Sequence, residues 1–231
     1  MEAKVLRRIA RDNLSGNWLK SIGVAFIAAL LGGMLLGTSF LPEVTLHLKD
    51  QDIQDLTQLL NLIEAQVFTL SFGLGSALGL AQFIMGGAVE LGYTRYLLNQ
   101  YNRADFEFSD LTSQFHRFGQ GFAQRFLRNL YVALWSLLFV IPGIVKSYAY
   151  AMTPYIMAEN PELTASQAIT ASKQMMEGHK SELFVLDLTF IGWNLLCMLT
   201  LDLGHIVLNP YKNAARTAFY KELTRQGVIY E

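Results

Sequence analysis

Two long apolar runs in the first half of the chain limit what it can fold into. Residues 18–41 read WLKSIGVAFIAALLGGMLLGTSFL, and residues 65–91 read AQVFTLSFGLGSALGLAQFIMGGAVEL. At about 1.5 Å per residue, each run is long enough to cross a hydrocarbon core of about 30 Å as an α-helix. Their only charges are Lys20 and Glu90, and both stand near an end. The two runs therefore predict transmembrane helices.

A signal peptide is the competing interpretation of the first run, but its apolar part is too long and no A-x-A cleavage signature follows.

Two later runs have the same character. Residues 129–145, extending toward 158, and residues 183–208 are long and apolar, although the second contains Asp187 and Asp202. The composition agrees, because 16% charged and 52% hydrophobic residues compare with about 25% charged in an ordinary soluble domain. The sequence predicts one all-α integral membrane domain over 1–231, a polytopic bundle of about four spans. Residues 147–158 could extend a kinked third helix, be re-entrant or add a short span, so five or six spans remain the alternative.

The charges are segregated along the chain. Most of the 18 Lys and Arg residues lie in the N-terminal stretch, in 95–128 and after 209, whereas 42–64 and 159–182 are acidic. Short basic segments stay in the cytoplasm. Four spans in the cytoplasmic membrane then place both termini in the cytoplasm and the two acidic segments outside. The net charge of -1 gives no field that favours nucleic acid.

Three segments predict amphipathic helices lying in the membrane plane, at 2–14, 111–126 and 165–177. The first is basic and suits an anionic leaflet. The second carries an aromatic stripe that is either interfacial or a partner groove. The third begins with a capping box of Thr164 and Gln167 and stops at Gly178. The stripe consists of Phe115, Phe118, Phe122 and Phe126.

The third run contains a proline and a lysine that need an explanation. Pro142 and Gly143 predict a helix kink where a neighbouring helix approaches closely. Lys146 then lies near the outer headgroups, where its ammonium can snorkel.

Span four has a polar face in this interpretation. Asp187, Asn194 and His205 fall on one side of a continuous helix at 100° per residue. Lys146 can approach Asp187, and the pair either holds the bundle together or belongs to a proton or substrate path. The candidate intramembrane polar site comprises Lys146, Asp187, Asn194 and His205.

Small residues predict close helix packing, either within the chain or between two copies. The G-x-x-x-G pairs are Gly33 with Gly37 and Gly75 with Gly79, and Gly86 and Gly87 add a further smooth patch. Cys197 is the only cysteine and the four histidines are scattered, so we expect no metal and no cofactor. The sequence has no H-E-x-x-H and no G-x-S-x-G, and we expect no catalytic residues.

Several blocks resemble a known family. They are LSGNW at 14–18, GGAVELGYTRYLL at 86–98, FGQGFAQRF at 118–126, residues 137–163 and 168–193, and NPYKNAARTAFYKEL at 209–223. Their order is similar to that of the bacterial integral membrane proteins grouped as the domain-of-unknown-function 975 family. The resemblance implies a multi-pass protein of the cytoplasmic membrane with no established activity, and it supplies no catalytic residues. Asp202 and His205 depart from the family pattern.

Two functions are compatible with these features. The first is a non-enzymatic protein that acts on membrane lipids, itself or other membrane proteins in envelope homeostasis or resistance. The second is a small transporter or channel-like protein whose polar path is lined by the four residues of the candidate site. A water-accessible cavity joining them would favour the second function, and a dry, paired cluster would count against it.

Overall fold

The structure is a computed structural model that describes residues 2–32, 77–199 and 204–227, with backbone only at 77–81, 198 and 199. This part of the chain is all-α and contains no strand. Two short 3-10 helices, Phe108–Leu111 and Phe115–Arg117, precede α4. The α-helices are α1 (Ala3–Leu14), α2 (Trp18–Gly32), α3 (Ala77–Tyr101), α4 (Phe118–Leu138), α5 (Val140–Ala149), α6 (Thr153–Glu159), α7 (Ala165–Met175), α8 (Lys180–Leu188), α9 (Ile191–Leu199) and α10 (His205–Arg225).

Taken one at a time, no described helix combines the length and the apolar character needed to cross a membrane. By those two criteria α1 and α2 together would suffice, although they meet at a bend of 100°.

Helix α1 packs against the protein rather than standing apart from it. Its apolar side chains Leu6, Ala10 and Leu14 are buried against α10, and the Tyr211 hydroxyl donates to the Arg7 carbonyl at 3.2 Å. The helix predicted at 2–14 is therefore present, but its apolar face is already used inside the chain. The residues of α1 that remain exposed include Lys4, Arg8 and Arg11.

Helix α3 is the central element. α2 runs antiparallel to it, since Ser21 and Tyr96 lie 3.3 Å apart at one end and the Gln82 amide donates to the Leu30 carbonyl at 3.0 Å at the other. α10 runs parallel to α3. The Asn213 amide donates to the Tyr93 hydroxyl at 3.4 Å, and Tyr101 lies near Glu222 and Arg225 further along.

Helices α4 and α5 form a tight hairpin. Phe139 between them is extended, with φ -157° and ψ 142°, and the chain reverses there. Tyr131 faces Tyr150 with ring centroids 6.2 Å apart, and the Lys146 ammonium lies 4.7 Å from the centre of the Trp135 ring. Because these pairs are centred on residues 139–141, the two helices are antiparallel neighbours.

This reversal corrects the predicted kink at Pro142 and Gly143. The first helical hydrogen bond of α5 runs from the Gly143 amide to the Phe139 carbonyl. Pro142 therefore stands in the first turn, where a missing N–H costs nothing. Gly143 is required for the hairpin rather than for a kink, because a Cβ there would lie 2.8 Å from the Ser136 Cα. Residues 129–145 are two helices and not one span.

Helix α7 matches its prediction closely. The Thr164 hydroxyl accepts from the Gln167 amide, the Gln167 side chain accepts from the Thr164 amide, and Gly178 beyond the helix has φ +82°. The face that contains Ala168, Ser172 and Met175 is buried, and the Ser172 hydroxyl donates to the Ala149 carbonyl at 2.9 Å. The capping box and the glycine stop are confirmed.

The run predicted as span four is also divided, into α8, α9 and the start of α10. α10 returns antiparallel to the other two. Arg216 pairs with Asp187, Tyr211 meets Phe190 edge to face at 5.3 Å, and Gly204 packs on Cys197.

The predicted separation of 159–182 from the basic segment 95–128 is contradicted by direct contacts between them. The Arg117 guanidinium donates to the Met157 carbonyl at 3.1 Å and to the Pro161 carbonyl at 2.8 Å. Glu159 forms an ion pair with Lys221 near the end of α10. These contacts place 157–161 beside Arg117 and beside the C-terminal half of α10. The physical reason is the reversal at Phe139.

Candidate functional site

Exposed apolar side chains gather at one end of the bundle. The end of α2, the start of α3 and the middle of α4 meet there, because the Arg125 guanidinium donates to the Gly32 carbonyl at 2.8 Å and Gln82 reaches Leu30. The junction of α9 and α10 lies at the same end, since α10 is parallel to α3. We call this surface the apolar end. Its large exposed side chains are Phe26, Leu30, Phe83, Ile84, Phe126, Leu130, Leu134, Trp135, Leu137, Leu138, Phe139, Val140, Ile141, Val145, Ile191, Trp193, Leu195, Leu196, Ile206 and Val207.

The hairpin of α4 and α5 is the most exposed part of this surface. Leu137 is 83% exposed and Ile141 is 75% exposed. Contiguous exposed apolar area of this kind marks contact with a partner or a membrane. The opposite end, formed by the end of α1, 102–120, α6, α7 and the later half of α10, carries many of the exposed charged groups, and we call it the polar end.

Arg117 illustrates the chemistry of the polar end. Its guanidinium bonds the last carbonyls around α6, and Arg95 adds a longer bond of 3.4 Å to the Ala158 carbonyl. Cations are favourable at a helix C-terminus. Burial lowers the pKa of Arg117 below its ordinary value, while nearby Glu162 opposes the change. These arginines fix the position of α6.

Asp187 is the centre of a cluster that joins α5, α8 and α10. The Arg216 guanidinium donates to its two oxygens at 2.8 and 3.3 Å, and the Tyr148 hydroxyl donates at 3.3 Å. The Asp187 side chain is 13% exposed and that of Arg216 is 25% exposed. A two-point arginine–carboxylate bond fixes geometry as well as charge. The cluster therefore holds three helices in register.

Lys146 does not join that cluster. Its ammonium lies over the Trp135 ring, where the attraction of a cation to an aromatic face stabilises it. The predicted pair of Lys146 with Asp187 is wrong, because α5 presents Tyr148 to Asp187 instead. Lys146 and Trp135 belong to the part of the α4–α5 hairpin that we call its neck, together with Tyr131 and Tyr150.

Asn194 and His205 depended on a continuous helix that the structure divides. Asn194 lies in α9 and His205 begins α10, with 200–203, including Asp202, outside the described residues. The helical-wheel argument therefore fails across the breaks. Of the four predicted site residues, the described contacts place only Asp187 in a buried charge cluster.

A second buried cluster joins α3 and α4. The Glu90 carboxylate accepts from Arg128 at 2.8 Å and from the Gln124 amide at 3.1 Å. The Gln124 side-chain oxygen is buried, and none of the described residues bonds to it. Arg95, five residues further along α3, donates instead to the Ala158 carbonyl. The sequence contained a partial signal, a lone acid on an apolar helix and two arginines three residues apart.

Glycines allow α3 and α4 to cross closely beside that cluster. A Cβ on Gly87 would lie 2.1 Å from the Gly121 carbonyl oxygen. The smooth patch at Gly86 and Gly87 thus packs within the chain. Three of the predicted packing glycines, Gly33, Gly37 and Gly75, lie outside the described residues. Gly79 lies in α3, in the part described by its backbone alone.

The aromatic stripe also packs within the chain, at least in part. Phe122 and Phe126 stack at 5.9 Å, and Phe83 of α3 meets them edge to face at 5.6 and 6.5 Å. The segment predicted as one in-plane helix at 111–126 is instead short 3-10 turns followed by the start of α4.

No group of three or more His, Cys, Asp or Glu side chains that could hold a metal ion occurs in the described segments. Cys197 is buried and is not part of a disulfide.

Comparison with known proteins gives one match. Residues 137–227 match the family model described as protein of unknown function (DUF975). The resemblance noted in the sequence is thus confirmed for the segment that contains all of α5 to α10. No curated protein and no solved structure matches the chain.

Proposed function

We propose that this chain is an integral protein of the cytoplasmic membrane whose apolar end is embedded in lipid. The observation that carries the proposal is the hairpin, where consecutive large apolar side chains from Leu137 to Ile141 are more than half exposed. Water around such a surface is unfavourable by about 25 cal/mol per Å². Lipid acyl chains remove that cost.

The arrangement of charge supports the same proposal. The exposed basic residues of α1 are Lys4, Arg8 and Arg11, and α1 packs on α10, where the Tyr211 hydroxyl donates to the Arg7 carbonyl. A basic surface beside the membrane attracts anionic headgroups. We accordingly propose that both termini are cytoplasmic.

We propose a non-enzymatic role, in which the protein acts through contacts with lipids, with itself or with other membrane proteins in envelope homeostasis or resistance. Both buried clusters support this role, because Asp187 and Glu90 are each neutralised by an arginine. Such pairs hold helices together. The same pairing counts against a polar transport path, since Lys146 and Asp187 take different partners.

Alkaline carbonate extraction of membranes tests the proposal. We expect the full chain to stay in the membrane pellet after carbonate and after urea, and to be released by detergent alone. The double variant Leu137→Glu with Ile141→Glu should be released more readily. The matched control is Gln120→Glu with Ser166→Glu, two exposed changes at the polar end, and it should remain in the pellet. Release of the unchanged chain by carbonate would overturn the proposal.

A further inference from the structure

The tip and the base of the α4–α5 hairpin differ in character, and both arms of the hairpin start from the same end of the molecule. Its tip around Phe139 is exposed and uncharged. Its base is tied to the polar end by Arg117, immediately before α4, and by the Ala149 carbonyl at the end of α5, which accepts from Ser172 of α7. Both arms therefore begin at the same end of the molecule. A segment that crossed the bilayer would place its two ends on opposite sides.

The neck of the hairpin carries the groups that mark a membrane interface. Lys146 lies over Trp135, and Tyr131 faces Tyr150 one turn closer to the base. Aromatic rings and lysine concentrate at headgroup level, with the ammonium near lipid phosphates. No charged residue stands between Arg128 and Lys146 in the sequence. Everything beyond the neck is suited to acyl chains.

The length of the arms sets the depth. Lys146 lies six residues after Val140, which at about 1.5 Å per residue corresponds to roughly 9 Å. Half of a hydrocarbon core is about 15 Å. A hairpin with Lys146 at the headgroups thus ends within one leaflet.

We propose that α4 and α5 form a re-entrant hairpin that inserts its tip into a single leaflet, with acyl chains around Leu137 to Ile141 and lipid phosphate at Lys146. This inference rests on the proposed membrane location and adds the site of lipid contact. It also makes 118–149 a lipid-binding element rather than a span. Backbone groups at the turn are tolerable, because the Phe139 amide donates to the Trp135 carbonyl and the Phe139 carbonyl accepts from the Gly143 amide.

The test combines sidedness with depth, in the full chain carrying Cys197→Ser. Gln120→Cys lies near the start of α4 and Ser166→Cys lies in α7, after the hairpin, and both positions are exposed. An impermeant thiol reagent is applied to intact cells and to inverted membrane vesicles. We expect both positions to react in inverted vesicles and neither in intact cells. Reaction from opposite sides would show a crossing and overturn the re-entrant hairpin, while leaving the proposed membrane location intact.

The second part measures where the tip lies. Leu138→Cys carries an environment-sensitive fluorophore in vesicles of phosphatidylcholine and phosphatidylglycerol, with brominated lipids or iodide as quenchers. We expect bromine placed on the acyl chain to quench the fluorophore at residue 138, and iodide in the aqueous phase to leave it unquenched. Gln174→Cys, exposed on α7, is the control and should show the reverse. If iodide quenches the tip as it does the control, the hairpin does not insert, and carbonate extraction still decides the membrane location separately.

Discussion

The hairpin tip and the helix interfaces use side chains in opposite ways. At the tip, Leu137 and Ile141 face outward, whereas Asp187 with Arg216 and Glu90 with Arg128 lie between helices. Soluble proteins bury large apolar groups and seldom bury charges. The difference teaches that the stability of this fold resides in glycine contacts, packed side chains and paired charges within the bundle. The tip contributes little to it, because its side chains touch few other parts of the chain.

The largest effect should come from breaking the Asp187 pair. Arg216→Met leaves a mostly buried carboxylate without its cation, which should lower the free energy of unfolding by about 3 kcal/mol. The loss in the free energy of unfolding is measured by circular dichroism as the protein is unfolded in detergent. Arg225→Met, at an exposed position on the same helix, should stay within about 0.5 kcal/mol. Equal effects of the two variants would mean that the pair does not stabilise the bundle.

The crossing of α3 and α4 should be the next most sensitive place. Gly87→Ala puts a methyl group against the Gly121 carbonyl, and moving the helices apart should cost about 2 kcal/mol. Gly23→Ala in α2 meets no heavy atom within 4 Å. This control should raise stability by about 0.5 kcal/mol, because alanine favours helix. The same unfolding experiment compares them, and a neutral Gly87→Ala would contradict the close crossing.

A smaller effect should follow from removing the cap of α7. Thr164→Ala loses the hydroxyl that accepts from the Gln167 amide, and the expected loss is about 1 kcal/mol. Thr170→Ala is the matched change, because that hydroxyl bonds to the Ser166 carbonyl inside the helix, and it should cost less. Thermal unfolding distinguishes the two, and a reversed order would argue against the capping box.

The smallest effect should be at the tip. Leu137→Ser in detergent should change the unfolding free energy by less than about 0.5 kcal/mol, since the side chain is 83% exposed. Leu186→Ser is its buried counterpart at 0% exposure and should cost at least about 2 kcal/mol. A large loss at Leu137 in detergent would place the tip in a packed interface and remove the contrast between the two regions.

Local signals predicted local structure well. The capping box at Thr164, the stop at Gly178 and the amphipathic helix at 2–14 all require only neighbours in sequence, and each occurs where the pattern placed it. These local signals did not predict what packs against each face of a helix. The apolar side of α1 packs on α10, and no periodicity distinguishes a helix surface that meets protein from one that meets lipid.

The candidate site shows the same limit. Asp187 stood out as an acid in an apolar run, but its partner Arg216 lies in a segment that reads as an ordinary basic tail. Glu90 was similarly visible while Arg128 was not assigned to it. Charge partners distant in sequence depend on helix directions, and these were inferred from spans that the structure divides.

The sequence by itself determined the helical class, the caps, the scarcity of charge and the apolar character of 129–145, because these follow from composition and from periods of a few residues. Only the tertiary structure decided the reversal at Phe139, and with it the neighbours of Arg117, Lys146 and Asp187. Pro142 is compatible with a kinked helix or with the first turn of a new one. The choice between them depends on Gly143 fitting against Ser136, a contact that exists only after the two helices have packed.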